Sequence, residues 1–354
     1  MRKLAEVLLI MKSKDIDAVV ISDPYNIRYL CGFSGGEGYL YISEKRQCML
    51  VDSRYTIWAC SECKDTDVIT VTDGYYDYFN RYISEERVNV LALEGKHLTH
   101  YEFEKMKDKL NCGKVVSLND EIAALRMIKD KDEISLIEKA EAIGDAAFSY
   151  ILTRLAPGMT EKEAAMEIEM YMRNNGADGL SFETIVASGP NSASPHAVPT
   201  DRKLCVGDFV TMDFGCIFKG YCSDMTRTVV IGKADEKQKE IYNIVLEAQL
   251  NAIEKLRSGI TGACGDSYAR DVISEAGYGE YFGHGLGHSV GLYIHEQPRL
   301  SKSEPMILKP GMVVTVEPGI YISGLYGVRI EDVVVIEDGG VNNLTHSDKK
   351  LIEI

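Results

Sequence analysis

Long apolar runs are missing from this chain. No stretch approaches the roughly 20 residues that a membrane-spanning helix needs, so no transmembrane segment is expected. Positive charge is also short: 39 Lys and Arg stand against 54 Asp and Glu, a net charge of −15. A surface of that sign repels phosphate backbones and anionic lipid, which argues against nucleic acid or membrane as the main partner. Nine cysteines are present, but they lack the even count and spacing of a disulfide framework. Reduced thiols in a cytoplasmic protein are the expectation. Cys60-Ser-Glu-Cys63 has no second pair, so a zinc ribbon is not expected. Gly32-Phe-Ser-Gly35-Gly36-Glu-Gly38 precedes a strand instead of opening a helix, and reads as a tight loop, not a dinucleotide fingerprint. The run Met1–Met11 carries Glu6, has Lys12, Lys14 and Asp15 directly after it, and shows no small-residue cleavage site. An amphipathic first helix is expected there and not a signal peptide.

What is present describes two domains. A length of 354 residues with 45% apolar content is comfortable for two cores. Up to about residue 120, β-rich runs (Asp17–Ile21, Gly38–Ile42, Gln47–Val51, Asp67–Val71, Val88–Leu93) alternate with helical patterns (Lys3–Lys12, Arg54–Cys63, Tyr76–Ile83, His100–Leu110). That alternation predicts a small α/β domain over 1–125. Charge density rises at Leu125-Arg-Met-Ile-Lys-Asp-Lys-Asp-Glu133, where the boundary is placed. Residues 126–354 then read as α+β. Leu136, Ala140, Ile143, Ala147, Tyr150 and Ile151 form a helical stripe, and Thr160-Glu-Lys-Glu163 is a capping box. Further helices are expected over Glu236–Arg257 and Cys264–Ala276, packed on an antiparallel sheet.

Three of the seven histidines fall in His284-Gly-Leu-Gly-His288-Ser-Val-Gly-Leu-Tyr-Ile-His295-Glu296. Glycine beside imidazole suits a place where backbone must approach a metal or substrate closely. On either side lies a weak internal repeat: Gly207-Asp-Phe-Val-Thr-Met-Asp213-Phe-Gly215 matches Gly311-Met-Val-Val-Thr-Val-Glu317-Pro-Gly319. A hairpin turning near Phe218-Lys219 would set Asp213 directly opposite Asp224, and one around Gly324 would set Glu317 opposite Glu331. Like charges facing each other across a sheet destabilise it and drive protonation, unless cations sit between them. Asp213, Asp224, His288, Glu317 and Glu331 are too many and too hard for one tetrahedral zinc. They suit two divalent ions that acidify a water, and so metal-assisted hydrolysis.

Taken together, the His284–Glu296 run, Met212-Asp213-Phe-Gly with Asp224 eleven residues on, Val316-Glu317-Pro-Gly and Gly327-Val-Arg-Ile-Glu331-Asp resemble the pita-bread metallopeptidases. Among its members the motifs resemble aminopeptidase P and prolidase. The loop Ser188-Gly-Pro-Asn-Ser-Ala-Ser-Pro-His196-Ala-Val-Pro-Thr200 is similar to the family's as well. The resemblance implies a creatinase-like N-terminal domain and a catalytic domain with a curved antiparallel sheet and an internal pseudo-twofold repeat. It implies two divalent ions, Mn2+ before Co2+, Fe2+ or Zn2+, held by Asp213, Asp224, His288, Glu317 and Glu331. A bridging hydroxide would attack the carbonyl while Glu317 shuttles protons. His196 and His295 would polarise the carbonyl with His284 close by, and Arg329 and Tyr321 would support the acids. The implied substrates are peptides with proline second, cut as an aminopeptidase P or, alternatively, as an Xaa-Pro dipeptidase. A homodimer is implied too, and Asp52, Arg54, Tyr55 and Trp58 are candidates for a wall that limits substrate length.

Two other classes compete. Gly287-His-Ser289-Val-Gly291 fits a nucleophile elbow, with Asp332 and His346 following in serine-hydrolase order. That reading needs a helix after Ser289 and leaves Asp213, Asp224 and Glu317 unexplained. A non-catalytic binding module of the same fold would be expected to have lost the ligands that this chain retains. Methionine aminopeptidases usually lack the large N-terminal domain, and creatinase lacks the metal ligands.

Overall fold

The computed structural model describes residues 2–63 and 65–354, in two compact units, one ending at Arg126 and one running from Met127 to Ile354. The first contains α1 (Arg2–Ser13), β1 (Ala18–Ile21), α2 (Pro24–Cys31), β2 (Tyr39–Ser43), β3 (Gln47–Val51), α3 (Thr56–Glu62), β4 (Asp67–Thr70), α4 (Tyr75–Glu86), β5 (Val90–Glu94), α5 (His100–Lys109) and β6 (Lys114–Leu118). Its strands form one mixed sheet in the order β4-β3-β2-β1-β5-β6. Strand side chains alternate between faces. Val19 and Ile21 therefore pack with Val7, Met11, Ile27 and Ala59, while Ala18 and Val20 pack with Phe79, Tyr82, Ile83 and Met106. Both faces are covered, which is why β1 and β3 read as unbroken apolar runs. Helix α2 and strand β6 are additions to the expected pattern. Asp23 caps α2 through the Tyr25 amide at 2.8 Å, Pro24 opens it, and Gly32 closes it at φ 87°.

The second unit runs through α6 (Lys131–Leu152), α7 (Glu161–Asn174), β7 (Gly179–Leu180), β8 (Ile185–Ser188), β9 (Phe209–Phe214), β10 (Cys216–Phe218), β11 (Tyr221–Cys222) and β12 (Met225–Val230). It continues with α8 (Glu236–Lys255), α9 (Gly262–Glu275), β13 (Gly287–Ser289), β14 (Glu296–Leu300), β15 (Val313–Val316), β16 (Gly319–Ile322), β17 (Tyr326–Arg329), β18 (Asp332–Ile336) and β19 (Val341–Asn343). Two helices followed by a long hairpin thus occur twice. Helices α6 and α7 pack on the first hairpin through Ala140, Phe148, Ile168, Met212 and Met225. Helices α8 and α9 pack on the second through Ile241, Val245, Ile273, Val314 and Val334. Capping boxes at Asp130/Glu133, Thr160/Glu163 and Asp235/Gln238 fix three helix starts. Among the described residues, no helix is long and apolar enough to cross a membrane.

Register places the acids. In the second hairpin, Val316 pairs with Asp332 and Gly319 with Arg329, so Glu317 and Glu331 are opposite one another, as the turn around Gly324 predicts. The first hairpin differs from expectation. It turns at Lys219-Gly220, both at positive φ, and Asp213 pairs with Thr226. Asp224 then falls diagonally from Asp213, at the level of Gly215. A Cβ at Gly215 would come within 2.0 Å of the Ser223 carbonyl oxygen, so only glycine lets the segment carrying Asp224, between β11 and β12, run this close.

Threonines join the two hairpins. The Thr211 hydroxyl donates to the Gly327 carbonyl at 3.2 Å, and that of Thr228 to the Arg329 carbonyl at 3.0 Å. The Glu331 amide leaves its own hairpin and donates to the Thr226 carbonyl at 3.1 Å, while the Glu317 amide donates to the Leu286 carbonyl at 2.8 Å. Both acids are thereby held by backbone outside their own hairpin.

Candidate metal centre

Asp224, His288 and Glu331 each bring a donor atom within 4.8 Å of the others, and all three are buried. His288 Nε2 lies 3.4 Å from Asp224 Oδ2 and 3.6 Å from Glu317 Oε1. Its Nδ1 faces the Ser289 carbonyl at 3.3 Å, which favours the tautomer with a bare lone pair on Nε2. Asp213 stands apart from the three-residue cluster, tied by Oδ2 to Arg329 Nη2 at 2.6 Å. Its other oxygen, Oδ1, is buried with no hydrogen-bond partner. Behind the cluster, Glu141 accepts from the Asp224 amide at 2.9 Å and from the Thr345 hydroxyl at 2.8 Å.

The electrostatics follow from crowding. Burial pushes the Asp224 carboxyl well up, with Glu331, Asp213 and Glu317 adding repulsion. Burial does the same to Glu331, with Glu317 and Asp213 adding to it. Glu317 is pushed up to about 7, mainly by burial, against the pull of Arg329. Burial holds His288 down at about 3, so its imidazole is neutral at pH 7. Four carboxylates and a neutral imidazole with a bare lone pair therefore meet where none of the acids can ionise freely. An unsatisfied oxygen on Asp213 points to the same conclusion: this donor set fits divalent cations.

Around it lies a cavity of about 580 Å³ lined by all five of these residues and by His196, His284, His295, Arg299 and Arg329. The His295 ring packs edge-on to His288 at 4.6 Å between centroids. His284 Nε2 meets the Tyr321 hydroxyl at 3.0 Å, and that hydroxyl accepts from Arg329 Nη1 at 2.8 Å. Arg329 Nε also donates to the Thr226 hydroxyl at 3.0 Å, which in turn donates to Glu331 at 2.7 Å. One guanidinium thus holds Asp213 directly, Glu331 through Thr226 and His284 through Tyr321.

Sequence reasoning passed over Glu141, Lys129 and Arg299. Lys129 is buried against Glu296 at 3.0 Å and donates to the Ser289 hydroxyl at 3.1 Å. Arg299 lines the cavity at the register position opposite His288. The signal available was an arginine in a strand four residues after His295. The serine-hydrolase arrangement is not assembled. Ser289 is buried at the end of β13 and is followed by bends instead of a helix, Asp332 is paired with Arg227 at 2.8 Å and Lys349 at 2.6 Å, and His346 is exposed.

The description "Metallopeptidase family M24" matches residues 135–338, more than half of the chain, and "Creatinase/Prolidase N-terminal domain" matches residues 3–128. The chain belongs to metallopeptidase family M24. An Xaa-Pro dipeptidase of Pyrococcus furiosus is 41% identical over 351 residues, 99% of each chain. An uncharacterized peptidase of Bacillus subtilis is 41% identical over 337 residues, 95% of this chain and 96% of its own length. Among solved structures, an Xaa-Pro dipeptidase from Bacillus anthracis superposes with a TM-score of 0.97 at 40% identity, covering 100% of this chain and 99% of its own. An X-Pro aminopeptidase from Thermotoga maritima superposes at 0.92 and 37% identity, covering 99% and 100%. The creatinase-like domain followed by a pita-bread catalytic domain is therefore the fold, as the motifs imply, and this M24 chain is a metallopeptidase.

Proposed function

We propose that this M24 chain hydrolyses the Xaa-Pro bond of short peptides, with two divalent ions held by Asp213, Asp224, His288, Glu317 and Glu331. The convergence of these five residues in one cavity carries the reading. When bound, the ions supply Lewis acidity and a water acidified to near neutral pH. The residues of the chain do the rest. Glu317, with its raised pKa and the Thr315 hydroxyl at 3.0 Å, is suited to hold a proton and pass it on. His196 and His295 line the cavity and donate to the carbonyl oxygen as charge builds there. Arg329, with Tyr321, keeps the acids in place through the hydrogen bonds described above, and His284, held by Tyr321, lines the cavity close to the carbonyl site. Manganese is the favoured ion because oxygen donors outnumber nitrogen. The nine cysteines form no disulfide among the described residues, which supports a cytoplasmic protein, and the family resemblance supports a homodimer with residues 1–125 as the N-terminal domain.

The family resemblance gives aminopeptidase P as the first reading and Xaa-Pro dipeptidase as the alternative. Arg299 favours the dipeptidase form, as do the Pyrococcus relatives and the Bacillus anthracis structure, which are Xaa-Pro dipeptidases. Among the described residues, no hydrogen bond or ion pair occupies the Arg299 guanidinium, and it lines the cavity beside His288. A free α-carboxylate is its natural partner, and in a dipeptide that group lies one residue past the scissile bond. The test is hydrolysis of Ala-Pro and Ala-Pro-Ala by chelator-treated protein resupplied with manganese. Cleavage of Ala-Pro alone is the expected result. Cleavage of the tripeptide establishes the aminopeptidase form, and cleavage of neither refutes both.

A further inference from the structure

His196 sits on the exposed part of the loop from Ser188 to Thr200, and among the described residues its ring makes no hydrogen bond. Where it stands in the cavity is thus decided by the loop backbone alone. One buried side chain grips that loop at both ends. Glu161, the first residue of α7, is 0% exposed. Its Oε1 accepts from the Ser188 amide and hydroxyl, both at 2.7 Å, and its Oε2 from the Thr200 amide at 3.0 Å and hydroxyl at 2.6 Å. Asn191 Nδ2 donates to both oxygens at 3.1 Å. The amides of Glu161 and Lys162, at the helix start, donate in turn to the carbonyls of Arg202 and Thr200. A carboxylate placed at a helix N-terminus and given this many donors is stable without a direct cation.

The far side of the loop is pinned to the strand that bears Arg329. The Gly327 amide donates to the Ser192 hydroxyl at 2.8 Å, and a Cβ on Gly327 would come within 2.1 Å of the Ser192 carbonyl oxygen. The Pro195 carbonyl accepts from Arg329 Nη1 at 3.4 Å. The loop is therefore closed into a rigid ring, with Glu161 tying its two ends and β17 holding its middle.

We propose that Glu161 is a positioning residue, whose carboxylate fixes both ends of the 188–200 loop and so places His196 against the substrate carbonyl. This rests on the proposed Xaa-Pro hydrolysis and on the role given there to His196. A displacement of about 1 Å at a polarising group costs up to roughly 100-fold in rate. Glu161→Gln keeps the volume but turns an amide NH2 toward the loop's own donors, loosening one end.

The test is a double-mutant cycle on the metal-loaded enzyme, with kcat and KM measured on Ala-Pro. If Glu161 acts through His196, Glu161→Gln lowers kcat about 10-fold or more in the wild-type background, and less than about 2-fold in a His196→Ala background, because groups acting as a unit are not additive. Equal losses in the two backgrounds, or no loss in either, overturn the proposal. Manganese stoichiometry by calorimetry should stay unchanged, and its loss would assign Glu161 to general folding instead. Should Glu161→Gln fail to fold, Thr200→Val removes one donor from the clamp with little change in shape and runs the same cycle. If the wild type cleaves no Xaa-Pro substrate, the functional reading fails by itself. The clamp is then read from the His196 imidazole proton line width by NMR: narrowing in Glu161→Gln supports it, and an unchanged line overturns it.

Discussion

Arg299 stands opposite His288 across two strands, yet gives its charge to none of the carboxylates around it. The Glu317 carboxyl feels it only as a weak downward pull. A substrate carboxylate would make a charge-assisted pair worth roughly 1.5–3 kcal/mol. Arg299→Ala is accordingly expected to raise KM for Ala-Pro by about 10- to 100-fold with a smaller change in kcat. Ala-Pro-amide, which lacks the carboxylate, should show almost no further loss. An equal loss on both substrates would remove Arg299 from substrate recognition. Glu331 tests the centre itself. It is 1% exposed, accepts from Thr226 and lies within the donor cluster. Glu331→Gln keeps its shape but removes an anionic donor, so metal affinity should fall by at least roughly 10-fold, and activity with it. Calorimetric titration with Mn2+ gives the answer, and an unchanged isotherm would exclude Glu331 as a ligand.

At the scale of elements, the centre depends on how closely two hairpins approach. Gly215→Ala forces a Cβ to within 2.0 Å of the Ser223 carbonyl, which is backbone and cannot swing away. Asp224, the next residue, must move. The expected outcome is a folded protein with sharply weakened metal binding, measured by titration beside thermal melting. Unchanged binding would mean that Asp224 is not held by this approach. Much of this architecture was legible in the chain. Helices over 131–152, 161–174 and 236–255 declare themselves by periodicity, and the second also by its capping box at Thr160, because those signals are local, while the boxes at Asp130 and Asp235 went unread. The turn around Gly324 gave the Glu317–Glu331 register for the same reason. The first hairpin was misplaced because its turn, Lys219-Gly220, requires a lysine at φ 49°, a conformation no propensity assigns to that residue. The diagonal placement of Asp213 and Asp224 follows from that one-residue shift of the turn. Thr211, Thr228, Glu141, Glu161 and Arg299 went unread for a different cause. Their partners lie on other elements, and only the tertiary register shows that threonine hydroxyls stitch the hairpins or that Glu161 holds a loop.

Across the whole molecule, the buried acids set how stability varies with pH. Glu317 has an ordinary value of 4.5 and sits at about 7 in the folded chain. Between those values the folded state holds more protons than the unfolded one, so stability falls as pH rises from about 4.5 and the loss is complete above about 7. The difference corresponds to about 3 kcal/mol for this group, and Asp224 and Glu331, both raised further, act in the same direction. His284 and His288 oppose them. Held at about 4 and about 3, they leave the folded state with fewer protons and cost stability as pH falls below about 6.5. Glu141, raised to about 8 by burial, also favours acid, but it is not among the proposed ligands and affects metal-free and metal-loaded protein alike. Cations bound at the proposed site would take the place of the protons on these acids and remove their share of the penalty. Melting temperature with chelator should therefore drop from pH 5 to pH 8, while with saturating Mn2+ it should stay level or rise. The gap between the two curves should widen throughout that range. A gap that stays constant, or a metal-free protein that gains stability toward pH 8, would show that the four acids do not share one centre.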